Sequence, residues 1–139
     1  KSVNIPPNVE KIESGAFEEC QQLKKIVIPH KVKVIERNAF RDCDSLTHIY
    51  FDPSKTTNID KTAFFDCKNL RILIITTSQP SIKIDLSPFP FVKEVVIPPN
   101  VGSVDCLPPE IQIRTSTNLI GDCGIDGIQE IEDMFSVAF

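Results

Sequence analysis

At 139 residues, 41% of them hydrophobic and 24% charged, the chain has the composition of one soluble globular domain. A formal net charge of -4 argues against nucleic acid as the main partner, because phosphate binding needs clustered Lys and Arg. No apolar run approaches the roughly 18 residues that a membrane-spanning helix needs.

The chain opens on Val3-Asn4-Ile5-Pro6, and the same string returns as Ile26-Val27-Ile28-Pro29 and Val95-Val96-Ile97-Pro98. Aligned on the first strand residue, repeats start near Val3, Ile26, Ile49, Leu73, Val95 and Ile111, about every 23 residues with the last step shortened. The residue two further on is also apolar: Ile5, Ile28, Phe51, Ile75, Ile97 and Ile113. Period-two apolar residues in a short β-branched run predict a strand with one buried face. Proline cannot donate to a ladder, so each strand should stop at Pro6, Pro29 or Pro98, with the break shifted to Pro53 in the third repeat. Apolar residues three apart follow, as Val9 and Ile12, Val32 and Ile35, and Val101 and Val104, with Ile59 and Ile82 keeping one slot. They predict a second short inward-facing segment beyond a corner.

Next come Phe17, Cys20 and Leu23, then Phe40, Cys43 and Leu46, then Phe64, Cys67 and Leu70, with Ala16, Ala39 and Ala63 ahead of each set. Their spacing of three predicts one face of a helix of one to two turns, buried as structural core. No single repeat can bury its own Phe and Leu, whereas stacked neighbours can, which makes the chain a solenoid. The fourth repeat lacks the Ala-Phe pair, and Pro88 and Pro90 forbid a regular helix there. The fifth passes through Cys106, Leu107, Pro108 and Pro109 with room for a turn only. After Arg114 the pattern dissolves, and Ile125, Ile128, Ile131 and Phe135 predict a short amphipathic helix. The division is a solenoid over 1–114 and a C-terminal cap over 115–139. The cap is acidic, with Asp122, Asp126, Glu130, Glu132 and Asp133 and no Lys or Arg. The absence of an initiating Met, and a start directly in a repeat, suggest the C-terminal end of a longer array.

These slots, I-x-I-P, then Val and Ile three apart, then A-F-x-x-C-x-x-L, resemble the BspA-like, Treponema-type leucine-rich repeat family. Repeats one and two match almost every slot, and repeat three matches the second half. The resemblance implies an α/β solenoid with short parallel strands on its concave face and short helices or turns on its convex face. It implies a non-catalytic protein-binding role, as a surface adhesin or interaction module. It favours a cell-surface or secreted location and leaves a cytoplasmic one open, where the alternative role is an intracellular scaffold or regulatory subunit.

Nothing in the sequence composes a catalytic or metal site, and no cofactor is expected. His30 and His48 lack a metal or triad spacing and read as ordinary surface residues. Cys20, Cys43 and Cys67 recur at one slot and read as buried free thiols, since no CxxC pair occurs. Pairing of Cys106 with Cys123 stays open.

The partner surface is expected on the strand residues that alternate with the buried ones. Those are Asn4, Val27, Tyr50, Ile74, Val96 and Gln112, flanked by Lys25, His48, Ile72 and Glu94. Val27, Tyr50, Ile74 and Val96 would form an exposed apolar stripe, and such patches mark interaction sites. A protein ligand is one reading. Self-association through this stripe or through the edge of the first repeat, as in a structural array, is another. β-branched residues that merely suit a parallel sheet are a third.

Overall fold

The computed structural model describes residues 2–116. Eleven short strands make a parallel β-solenoid: β1 Ser2–Val3, β2 Lys11–Ile12, β3 Lys25–Val27, β4 Val34–Ile35, β5 His48–Phe51, β6 Asn58–Ile59, β7 Ile72–Ile75, β8 Ser81–Lys83, β9 Glu94–Ile97, β10 Ser103–Asp105 and β11 Gln112–Thr115. The odd-numbered strands pair in order, all parallel, into one six-stranded sheet. The even-numbered strands, from the segment beyond each corner, stack as a three-stranded sheet of β2, β4 and β6 and a two-stranded sheet of β8 and β10. Each turn of the solenoid thus contributes one strand to a long sheet and one to a short sheet, and returns along a turned third side.

The core lies between these sides. Ile26, Ile49, Leu73 and Val95, which pair in sequence across the long sheet, are at most 1% exposed. Ile12 and Ile35 face them from the short sheet at 3% and 1%. From the turned side, Leu23, Phe40, Cys43, Leu46, Phe64, Cys67 and Leu70 are buried, while Phe17 and Cys20, in the first repeat, are half-buried. The Phe rings stack along the axis: Phe17 on Phe40 at 5.1 Å between centroids and Phe40 on Phe64 at 4.9 Å, within 8° of parallel. Phe89 continues the column in the eroded fourth repeat, 5.1 Å from Phe64.

The turned side corrects the expected helices. Among the described residues the Ala-Phe-x-x-Cys-x-x-Leu segments form successive turns and no helix. Within them, the N–H of Ala16 donates to Glu13, that of Cys20 to Phe17 and that of Leu23 to Cys20. Between these bonds the backbone turns left-handed, at Gly15 (φ 69), Asn38 (φ 59), Glu19 (φ 59), Asp42 (φ 59) and Asp66 (φ 60). A left-handed residue cannot continue a right-handed helix. It also redirects the neighbouring N–H groups along the solenoid axis. Phe17 donates to Ala39 at 2.7 Å, Glu19 to Arg41 at 2.7 Å, Phe40 to Ala63 at 2.7 Å and Asp42 to Phe65 at 2.9 Å. A spacing of three fits consecutive three-residue turns as well as a helix, and the axial ladder favours the turns.

The last strand corrects the register. Val95 pairs with Ile113 and Val96 with Arg114, so the sixth repeat starts two residues later than Ile111. A shift of two keeps every side chain on its own face, so alternation alone cannot detect it. The expected cap lies, beyond Ser116, outside the described residues, as does Cys123.

Candidate interaction face

Along the long sheet, side chains that point away from the core form two rows. Pairing sets Lys25, His48, Ile72, Glu94 and Gln112 in one row. It sets Val27, Tyr50, Ile74, Val96 and Arg114 in the next. The register shift places Arg114 where Gln112 was expected at the end of the apolar row. Arg114 Nε forms an ion pair with Glu94 across β9 and β11.

The apolar row is not open to solvent, which corrects the expected exposed stripe. Tyr50 and Ile74 are 0% exposed and Val96 1%, and with half-buried Val27 and Ile72 they form a hydrophobic cluster separate from the main core. Lys25, His48 and Glu94 beside them are half-buried. Lys25, His48, Tyr50 and Arg114 are all engaged by partners rather than free. Alternation specifies which face a residue occupies and says nothing about what lies over that face.

Both histidines are half-buried, against the expectation of ordinary surface positions. His30 Nε2 lies 3.0 Å from the carbonyl of Thr76 and 3.9 Å from Asp52 Oδ2. Asp52 occupies the slot of Pro29 in the third repeat, is 1% exposed, and accepts from the N–H and hydroxyl of Ser54 at 2.9 and 2.6 Å. His48 Nδ1 sits 2.7 Å from Thr47 Oγ1. No sequence signal marked the His30 site, because its partners come from two later repeats.

The thiols have a backbone role that packing arguments missed. Cys43 Sγ–H donates to the carbonyl of Phe17 at 3.2 Å, and Cys67 Sγ–H to that of Phe40 at 2.9 Å. Each thiol thus bonds to the Phe slot of the preceding repeat. Its hydrogen bond with Cys67, together with burial, raises the Cys43 thiol far above its ordinary value, and burial raises Cys20. Such thiols stay protonated and are poor nucleophiles. Cys20, Cys43, Cys67 and the exposed Cys106 are free cysteines. Among the described residues no group of three or more His, Cys, Asp or Glu is placed to hold a metal ion.

A groove of about 300 Å³ lies beside the third and fourth corners, and Lys83 and Asp85 are its ionisable lining side chains. On the turned side Phe65 is 49% exposed, with the Arg41 guanidinium 5.9 Å from its ring centroid. The second Phe of Ala63-Phe64-Phe65 falls outside the repeat slots, which is why the repeat pattern did not single it out. Among the described residues no helix is long and apolar enough to cross a membrane.

No curated protein matches the chain. A solved structure, a leucine-rich cell surface protein from Faecalibacterium prausnitzii, matches with a TM-score of 0.50 and 24% identity over 83% of this chain. The chain spans 32% of that protein's length, and the likeness is one of fold. Residues 1–105 match the BspA type leucine rich repeat region in six copies, and the chain belongs to that family.

Proposed function

We propose that this chain is a non-catalytic protein-binding module that acts through the outer face of its six-stranded sheet. The observation that carries the reading is the second hydrophobic cluster of Tyr50, Ile74 and Val96, built on that face and separate from the solenoid core. The core already accounts for why the repeats stack. Tyr50, Ile74 and Val96 are buried, and the partly open margin of the cluster, Val27 and Ile72 with charged Lys25 and Glu94 beside them, has the chemistry of a protein contact. Likeness to a leucine-rich cell surface protein supports placement at a cell surface, as an adhesin or interaction module.

Val27 and Ile72 are the better probes, because they are only half-buried. The immobilised full chain is exposed to extracellular matrix proteins and to surface proteins of its source organism. Partners held by the unsubstituted chain should be lost by Val27→Lys with Ile72→Lys, at unchanged circular dichroism. Undiminished capture by that variant would move the contact off the sheet.

A further inference from the structure

The short sheet is broken where the long sheet is not. β5 pairs with β7 along its whole length, and Phe64 meets Phe89 at 5.1 Å on the turned side. On the short-sheet side of the same two turns, β6 does not pair with β8. The spacing of the sequence accounts for the break. Ile35 precedes Phe40 by five positions and Ile59 precedes Phe64 by five, whereas Ile82 precedes Phe89 by seven. Two extra residues in the fourth repeat carry β8 out of register with β6, and β8 pairs onward with β10. Alternate residues of a parallel strand send their N–H and C=O groups to opposite sides. Asn58 and Asp60 donate to Lys33 and Ile35 at 3.1 and 3.0 Å, so Ile59 turns its main-chain groups the other way, towards β8. Ile84 donates to Asp105 at 3.3 Å, so Ser81 and Lys83 turn theirs towards β6. Among the described residues these groups of Ile59, Ser81 and Lys83 have no main-chain partner.

The broken edge borders the groove of about 300 Å³. Phe51, Ile59, Ile84 and Phe89 give it apolar walls, and Lys83 and Asp85 line its β8 side. Ser81 and Lys83 are exposed, so the edge is open to solvent. We propose that β8 takes up an extended peptide of another protein as an added strand. The main chain of the peptide bonds to Ser81 and Lys83, and one of its apolar side chains enters the groove. Two observations choose this occupant. The first is the backbone. A row of open main-chain donors and acceptors matches the repeat of an extended chain, whereas a helix spends its own main-chain groups internally. The second is charge. Asp85 already accepts from the N–H and hydroxyl of Ser87 at 2.9 and 2.7 Å. Lys83 takes part in none of the ion pairs among the described residues. An acidic residue of the peptide, next to its apolar anchor, therefore fits opposite Lys83. The groove lies on a different side of the solenoid from the long sheet. The inference thus goes beyond the binding reading and stands without it.

A phage-displayed library of random peptides, panned on the immobilised full chain, supplies the probe. Enriched peptides should alternate apolar with polar residues, carry an acidic residue, and bind the full chain in fluorescence anisotropy. Lys83→Pro removes a donor that faces the gap and none that the fold uses, and proline is tolerated on an edge. It should weaken binding by about tenfold or more, with circular dichroism unchanged. Lys83→Gln removes the charge and keeps the donor, so it should weaken binding less. Methylation of alternate backbone nitrogens of the peptide should also weaken binding to the unsubstituted chain, which keeps the test decisive where the proline variant misfolds. A library that enriches no binder overturns the proposal, as do peptides that bind Lys83→Pro undiminished or that tolerate methylation at every position. Equal losses in Lys83→Gln and Lys83→Pro overturn it, since charge alone then carries the contact. Self-association of the full chain that Lys83→Pro abolishes gives the edge to a second copy and overturns it too. Lys83 belongs to β8 and not to the long sheet, so these outcomes separate this inference from the binding reading.

Discussion

The side chains that hold this solenoid together do so by repeating. Phe17, Phe40 and Phe64 stack at about van der Waals distance because their slots superpose once per turn. Phe40 sits between two rings and is 0% exposed. Its truncation loses both stacking partners and opens a cavity that neighbours on a regular ladder cannot readily fill. Phe40→Ala should destabilise the fold by about 3–5 kcal/mol in chemical denaturation. A loss below about 1 kcal/mol would contradict its place in the core. The sequence made these positions legible because each is written three times in register. It could not show the thiol hydrogen bonds to Phe17 and Phe40, which depend on the offset between neighbouring turns. Nor could it show the burial of Tyr50 and Ile74, which alternation places on a face without revealing whether that face is covered.

At the scale of the element, the strands followed from alternation and proline, whereas the turned side did not follow from spacing. Its left-handed residues are mostly ordinary L-residues, Glu19, Asn38, Asp42 and Asp66, which gave no glycine signal. The axial ladder holds Glu19, Asn38 and Asp42 through bonds to Arg41, Thr62 and Phe65, at a cost of roughly 1–2 kcal/mol each relative to right-handed backbone. Glycine adopts this conformation without that cost, though it loses more freedom on folding. The Glu19 side chain is exposed, so its replacement tests the backbone alone. Glu19→Gly should leave stability unchanged or raise it by up to about 1 kcal/mol, and Glu19→Val should lower it, both read from denaturation midpoints. A marked loss on Glu19→Gly would mean that the carboxylate, not the backbone, matters there. The late start of the sixth repeat escaped the sequence for a similar reason. Parity is preserved by a shift of two, and only the pairing of Val95 with Ile113 reveals it.

Across the whole molecule, each turn packs on its immediate neighbours, so stability is shared along one dimension. The central strands β5 and β7 have a paired strand on both sides, whereas β1 pairs with β3 alone. Deuterium uptake should therefore be slowest at β5 and β7 and fastest at β1 and β2. Uniform protection from β1 to β9 would instead show that the array opens only as one unit. The axial bonds of the turned side have a further consequence. In the first three turns the donors at Phe17, Glu19, Phe40 and Asp42 all point to acceptors in the following turn. That gives the backbone of this side a direction, with donors facing the following turn and acceptors the preceding one. Two such stacks can join head to tail in matching register, but two like ends meet donor to donor or acceptor to acceptor. Insertion of one whole unit preserves every bond type along this side. Insertion of part of a unit breaks the ladder at that point, so such an array can lengthen in whole repeats more readily than in fractions of one.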